Sequence, residues 1–216
     1  MSDSKLSARE SILQSIRDGL AAGAIPMPFP EVEAVPLQSV FVPVSGSLEE
    51  VFAGNFAQLG GLFSYCADSN QLLQQLMEVI DERGWKKVLC ADEDLRAFLV
   101  SAGIPALPAN VPIEDADACI TGCESLIART GSIMLSSAQP FGRTAPVYYP
   151  VHIVIARTSQ LLEDIADGLN AFTESGNPLP SMMHLNTGPS RTADIEKTLV
   201  VGVHGPGEVF VFLVEG

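Results

Sequence analysis

VHIVIARTSQLLEDIADGLNAFTESGNPLPSMMHLN, residues 151–186, decides how this chain folds. Its first six residues, VHIVIA, are apolar in both phases of a two-residue repeat apart from His152, the pattern of a strand buried on both faces. From Ser159 onward Leu162, Ile165, Leu169 and Phe172 recur at helical spacing, and SMMHLN (181–186) returns to a strand. Strand, amphipathic helix and strand in succession point to a mostly parallel sheet covered on both faces.

The same alternation extends outward. Toward the C-terminus, EVFVFLV (208–214) is another buried strand, and a helix is expected after Gly188. Toward the N-terminus, KKVLCA (86–91) reads as a strand, followed by a helix capped by Asp92 with Leu95, Phe98 and Leu99 on one face and Gly103 as its stop. A helix near 47–59, a strand LFSYCA (62–67) and a helix through Leu72, Leu73, Leu76, Met77 and Ile80 ending at Gly84 complete the pattern. The segment 117–138 reads as two short strands around a tight turn at Thr130 and Gly131.

Ahead of this domain, Ser7–Ala8–Arg9–Glu10 is a capping box, and Ile12, Leu13, Ile16 and Leu20 follow at helical spacing. Five prolines within residues 25–46 remove backbone donors and block helix continuation, so that stretch is expected to run extended. The organisation expected is an N-terminal helix and proline-rich arm, 1–46, and one α/β domain, 47–216. The fold class is three-layer α/β, with helices on both faces of the sheet.

Charge narrows the partners. With 26 acidic against 12 basic side chains and a formal net charge of -14, the chain repels phosphate backbones and anionic membrane surfaces, so neither nucleic acid nor membrane is an expected partner. No apolar run is long enough to span a bilayer, and a soluble, cytoplasmic chain is expected. Cys66, Cys90, Cys119 and Cys123 match no common zinc, redox or cluster spacing and read as small buried hydrophobes, so no metal site is expected.

No P-loop, dinucleotide fingerprint, zinc-protease motif or nucleophile elbow occurs. Chemistry must therefore come from loops, which in open α/β sheets bind ligands outside the carboxyl ends of strands. Three loops are expected there. In LNTGPSRTADIE (185–196), Gly188 permits close backbone approach, Pro189 stiffens the turn, and Ser190 or Thr192 is expected to cap a helix whose start suits an anion. Arg191 adds a planar donor fork for a carboxylate, and Asp194 either pairs with it or complements the helix dipole. In VGVHGPGE (201–208) three glycines, Gly205 among them, surround His204, a candidate proton-exchanging residue, although a sharp connection into a strand uses the same residues. In ARTGS (128–132), Gly131 makes the turn while Thr130 and Ser132 offer hydroxyls to ligand oxygens, or the three residues simply form a hairpin turn. His152 and His184, each within a strand, read as core residues.

TGPSRTADIE (187–196) followed by LVVGVHGP (199–206) resembles the C-terminal signature of the lactate-utilization protein C, or LUD domain, family. The resemblance extends through the Thr130–Gly131–Ser132 turn, the Arg143 region and VHIVIA, and least to 25–46. It implies a fold like that of the NagB/RpiA/CoA-transferase proteins, which include formyltetrahydrofolate cyclo-ligase. It also implies a cluster-free role beside two iron–sulfur subunits that oxidise L-lactate to pyruvate: no cofactor on this chain, clusters on partner subunits, and a small carboxylate ligand. A stand-alone enzyme acting on a nucleotide- or folate-like substrate, or a lactate-sensing regulator, are the other readings the resemblance leaves open. One position departs from the family pattern, which has an acidic residue before the Thr130–Gly131 turn where this chain has Arg129.

Overall fold

A computed structural model describes residues 7–21, 23, 44–108, 112, 115–174, 176–195, 198–202 and 204–216. Chain contacts divide it into two units, Met1–Pro43 and Val44–Gly216. In the first, helix α1 (Ala8–Ala21) begins at the expected capping box: the Ser7 amide and hydroxyl donate to Glu10 Oε2 at 2.9 and 2.7 Å, and the Glu10 amide donates back to Ser7 Oγ. Most of the proline-rich arm, 24–43, lies outside the described residues.

The second unit is built on a six-stranded, all-parallel sheet in the order β1 (Leu62–Cys66), β12 (Glu208–Val214), β7 (Val151–Arg157), β4 (Ala118–Thr121), β2 (Val88–Cys90), β3 (Ala106–Leu107). Alternate residues of each strand feed opposite faces. Ala118, Ile120, Val151, Ile153, Phe210 and Phe212 point to one face, where helices α3 (Ser69–Arg83) and α4 (Glu93–Ser101) bury Leu72, Leu76, Ile80 and Leu99 against them. Both helices start and stop as their sequences dictate. Asp68 and Asp92 cap them through the amides of Gln71 and Leu95, and Gly84 closes α3 in the left-handed conformation.

Val154, Ala156, Val209, Val211 and Leu213 feed the other face, which is covered by helix α2 (Leu48–Gln58) and by a second sheet. That sheet has the order β8 (Leu161–Leu162), β5 (Ser125–Ile127), β6 (Ser132–Ser136), β9 (Met183–Asn186), and both β6 pairings are antiparallel. Phe52 and Phe56 of α2 stack at 5.4 Å between centroids and fill the space between the layers. The remaining elements are the one-turn helix α5 (Ala145–Tyr148), helix α6 (Ile165–Glu174), and a hairpin of β10 (Arg191–Ile195) with β11 (Thr198–Val201).

Three local expectations change. The helix expected from Ser159 starts at Ile165, because Leu161 and Leu162 first pair with Leu126 and Ile127. The stretch 117–138 is not two strands but three. Ala118–Thr121 joins the parallel sheet, and only 125–136 forms the hairpin around Thr130 and Gly131. The helix expected after Gly188 is the β10–β11 hairpin: Thr192, Ile195, Thr198, Val200 and Val201 are β-branched, and so short a segment rich in them has little to hold a helix.

Candidate functional site

The two segments that flank the β10–β11 hairpin are bound to each other at the amino ends of β7 and β12. The Ser190 amide donates to the Pro206 carbonyl at 2.9 Å, its hydroxyl to the His204 carbonyl at 2.5 Å, and the Gly202 amide to the Ser190 carbonyl at 3.0 Å. Gly205 makes this closeness possible. Its φ is +118°, and a Cβ there would stand 3.0 Å from Ser190 Cβ and 3.1 Å from the Pro146 carbonyl oxygen. The Gly207 amide then donates to the Pro150 carbonyl at 2.9 Å, seating the loop beside the residue that leads into β7.

Between these segments lies a cleft of about 430 Å³ whose polar wall includes His184, Asn186, Ser190, Arg191 and His204. Gly188 and Pro189 line it as well, as do Val147 and Leu185, which are 41% and 39% exposed. Arg191 is held at the rim by a hydrogen bond from its guanidinium to the Leu59 carbonyl at the end of α2. Every described residue lining the cleft is neutral or basic, in a chain of net charge -14. Fixed donors without a carboxylate among them favour an anion.

The expected cradle at a helix start is not there, since β10 takes its place. The Ser190 amide is spent on Pro206 rather than offered to a ligand. Thr192 and Asp194 lie in β10. The loops also open at the amino rather than the carboxyl ends of the strands, because 201–207 leads into β12 and 145–150 into β7.

The Thr130–Ser132 turn stands apart from the cleft. Asn55 of α2 donates to the carbonyls of Ala128 and Arg129 at 2.9 and 3.0 Å, and Ser132 donates to Thr130 Oγ1 at 2.7 Å. Gly131 sits directly against the backbone of Phe56, so the turn is a docking point for α2. Arg129 has local partners: its Nε donates to Asp164 at 2.6 Å and its NH2 to Glu163 at 3.1 Å. A basic residue at this position is thus answered by acids just beyond β8.

His184 was not among the residues singled out by sequence, although it lines the cleft. SMMHLN gives no sign that its side chains alternate between half-buried and exposed. Burial lowers the pKa of His184 below its ordinary value, leaving a neutral ring at neutral pH. Behind the cleft, on β7, His152 is fully buried, and its Nε2 lies 2.8 Å from Thr121 Oγ1. Its Nδ1 has no partner among the described residues, and burial, reinforced by His184, pushes its pKa down to about 3.

At the carboxyl end of the sheet, where the general rule for such folds places ligands, a second hollow of about 460 Å³ is lined by Ser69, Asp92, Asp94, Gly122 and Arg157. Among the described residues its charged groups are Asp92, identified from sequence only as a cap, Asp94 in the first turn of α4, and Arg157 at the end of β7.

The four cysteines are all buried and free. Burial raises every thiol, Cys90 to about 11, and Cys66 and Cys90 donate to Gln75 Oε1 and the Asp92 carbonyl at 3.3 and 3.5 Å. Cluster ligation needs gathered thiolates, which this donor set does not supply. Among the described residues no three His, Cys, Asp or Glu side chains gather so as to hold a metal ion, and no described helix is long and apolar enough to cross a membrane.

A six-stranded parallel sheet, a second β-layer and an arginine- and histidine-lined cleft between loops define the class: an α/β domain with a polar cleft at the amino ends of its central strands. The LUD domain family model matches residues 112–214. Lactate utilization protein C of Shouchella clausii is 34% identical over 158 residues, 64% of this chain and 67% of that protein. An uncharacterized protein of Neisseria meningitidis serogroup B is 26% identical over 97% of this chain and 94% of its own length. The chain belongs to the lactate utilization protein C family, characterised by the LUD domain. With several other proteins of that name the match spans only 40% to 63% of their length. The fold is similar to the crystal structure of a DUF162 family protein from Deinococcus radiodurans, with a TM-score of 0.58, 22% identity, and coverage of 80% of this chain and 99% of that one.

Proposed function

We propose that this chain is the cluster-free subunit of an iron–sulfur system that oxidises L-lactate to pyruvate, and that its cleft binds a small organic acid anion in contact with the cluster-bearing subunits. The observation that carries the reading is the convergence of Arg191, His204 and His184 on one cleft with no acidic side chain among the described residues that line it. Membership of the lactate utilization protein C family supplies the pathway.

In this reading the Arg191 guanidinium holds the carboxylate, with its Leu59 hydrogen bond fixing the fork at the rim. Oxidation of the hydroxyl carbon releases two electrons and two protons. His204 stands near the reacting oxygen and His184, neutral through burial, is a second proton acceptor. Iron–sulfur clusters on partner subunits would accept the electrons, and the four buried, free thiols of this chain suit packing rather than cluster ligation. Val147 and Leu185 at the edge provide an apolar rim against which a partner can close.

Calorimetric titration of the purified chain with L-lactate and pyruvate is expected to show saturable binding that Arg191→Ala weakens about tenfold or more. The isolated chain is expected to oxidise no lactate until the iron–sulfur subunits are added. Unchanged affinity in Arg191→Ala, with an unaltered melting temperature, would exclude the cleft as the anion site. Steady turnover of a nucleotide substrate by the chain alone would favour a cyclo-ligase-like enzyme instead.

A further inference from the structure

A separate cavity of about 360 Å³ lies between α6 and the second sheet, walled by Leu162, Phe172, Pro178 and Pro180. The two prolines fix their own backbone angles, so this wall costs little to order when a ligand enters. The volume is at the small end for a ligand site.

Two polar groups give the cavity its chemistry. Among the described residues Glu124 is the single charged one in its lining, and its carboxylate accepts from the Ser136 hydroxyl at 2.5 Å, while Ser136 Oγ accepts from the Ala138 amide at 3.1 Å. The carboxylate is therefore oriented by a fixed chain of hydrogen bonds. Beside it Ser125, 4% exposed, also lines the cavity, and its hydroxyl has no hydrogen-bond partner among the described residues. Buried hydroxyls without partners are uncommon because desolvation is then uncompensated, so a group from outside the chain is the natural complement. Gln160, the other long polar side chain of the lining, is already spent: its amide nitrogen donates to the Cys123 carbonyl at 2.6 Å and its oxygen accepts from the Arg157 amide at 2.9 Å.

We propose that this cavity is a second binding site, for a small organic ammonium ion whose apolar body carries an oxygen within reach of Ser125. The ammonium meets the Glu124 carboxylate in a charge-assisted hydrogen bond. The body packs against Phe172, Leu162 and the two prolines, and the oxygen meets the Ser125 hydroxyl. Nothing in the argument depends on the lactate reading, and the charge preference is opposite to that of the Arg191 cleft.

The test is calorimetric titration of the full chain with three probes of matched shape: 2-phenylethylammonium, 2-phenylethanol and phenylacetate. The ammonium is expected to bind at least about tenfold more tightly than the other two, and Glu124→Gln to remove that preference. A fourth probe, 2-amino-1-phenylethanol, is expected to gain affinity over 2-phenylethylammonium in the native chain and to lose that gain in Ser125→Ala. Ala171→Trp, an exposed substitution on the α6 wall, is expected to block all four probes without changing the melting temperature, which keeps the test decisive if Glu124→Gln fails to fold. Equal affinity for the three matched probes, binding that survives Ala171→Trp, or no saturation by 2-phenylethylammonium below about 10 mM, the weakest affinity expected of a ligand this size, would each overturn the proposal.

Discussion

The two faces of the parallel sheet are unlike. The face under α3 and α4 is packed with Leu72, Leu76, Ile80, Leu99, Ile153 and Phe212, and among the described residues its fully buried side chains are apolar or the thiols of Cys66 and Cys90. The opposite face, with the β-sheet that covers it, takes in His152, Thr121, Ser125, Ser132, Ser136 and Asn186, all buried. Each of these polar groups costs free energy to bury unless it is hydrogen-bonded. One face is therefore built for stability. The other retains polar groups next to the Arg191 cleft and the Glu124 cavity, where they can serve a ligand.

Gly131 is where this second face is most easily broken. Its φ is +59°, and an added Cβ would lie 2.5 Å from the Phe56 nitrogen and 2.8 Å from the Asn55 carbonyl carbon. These are backbone atoms of α2, so the helix itself has to move. Gly131→Ala is expected to cost about 3 kcal/mol or more in urea unfolding. Native-state hydrogen exchange is expected to show lost protection in α2, β5 and β6 while α3 and α4 keep theirs. Uniform loss across both faces would mean that they unfold as one unit and differ only in composition.

An effect that is smaller at each pH unit tests the buried histidine. His152 has an ordinary pKa of 6.5 in the unfolded chain and about 3 in the folded one. Between those values the unfolded state binds more protons, so stability contributed by the neutral ring is complete above 6.5 and is lost as pH falls toward 3. The expected loss is on the order of 1.4 kcal/mol per pH unit inside that window. Urea midpoints of the native chain and His152→Leu, compared at pH 7, 5 and 4, isolate this part from the titration of the many carboxylates. Equal pH slopes in the two proteins would show that His152 is solvated or protonated in the fold. Among the described residues no ionisable group but the thiols is buried on the α3–α4 face, so none there should add to the slope.

The difference between the faces also explains what could be read in advance. Apart from His152, VHIVIA and EVFVFLV are apolar in both phases, which a strand buried on both sides requires, and Asp92 and Gly84 mark helix ends through local chemistry alone. Those signals are short-range. The covering sheet depends on long-range choices: Gly122–Glu124 lets one apolar run divide between two sheets, and Leu161–Leu162 becomes a strand only because β5 is beside it. The glycines and hydroxyls around Arg191 and His204 could be recognised as loop chemistry. That Ser190 ties the two loops together, and that His184 reaches their cleft, depends on pairings no single segment encodes.

The smallest effect is expected at the edge of the apolar face. Arg83, at the end of α3, donates to Glu208 Oε1 at 2.9 Å, and its guanidinium carbon lies 5.9 Å from the centroid of the Phe210 ring. The two charged side chains are 43% and 37% exposed, so water and salt screen most of their attraction. Arg83→Met keeps the apolar stem over Phe210 and removes the charge. It is expected to cost about 0.5 kcal/mol or less in urea unfolding at low salt, and nothing measurable at 0.5 M salt, where the screening length is only about 4 Å. A loss of about 2 kcal/mol that persisted in salt would mean that the pair and the ring act together in a dry environment, and that this face too depends on a polar contact.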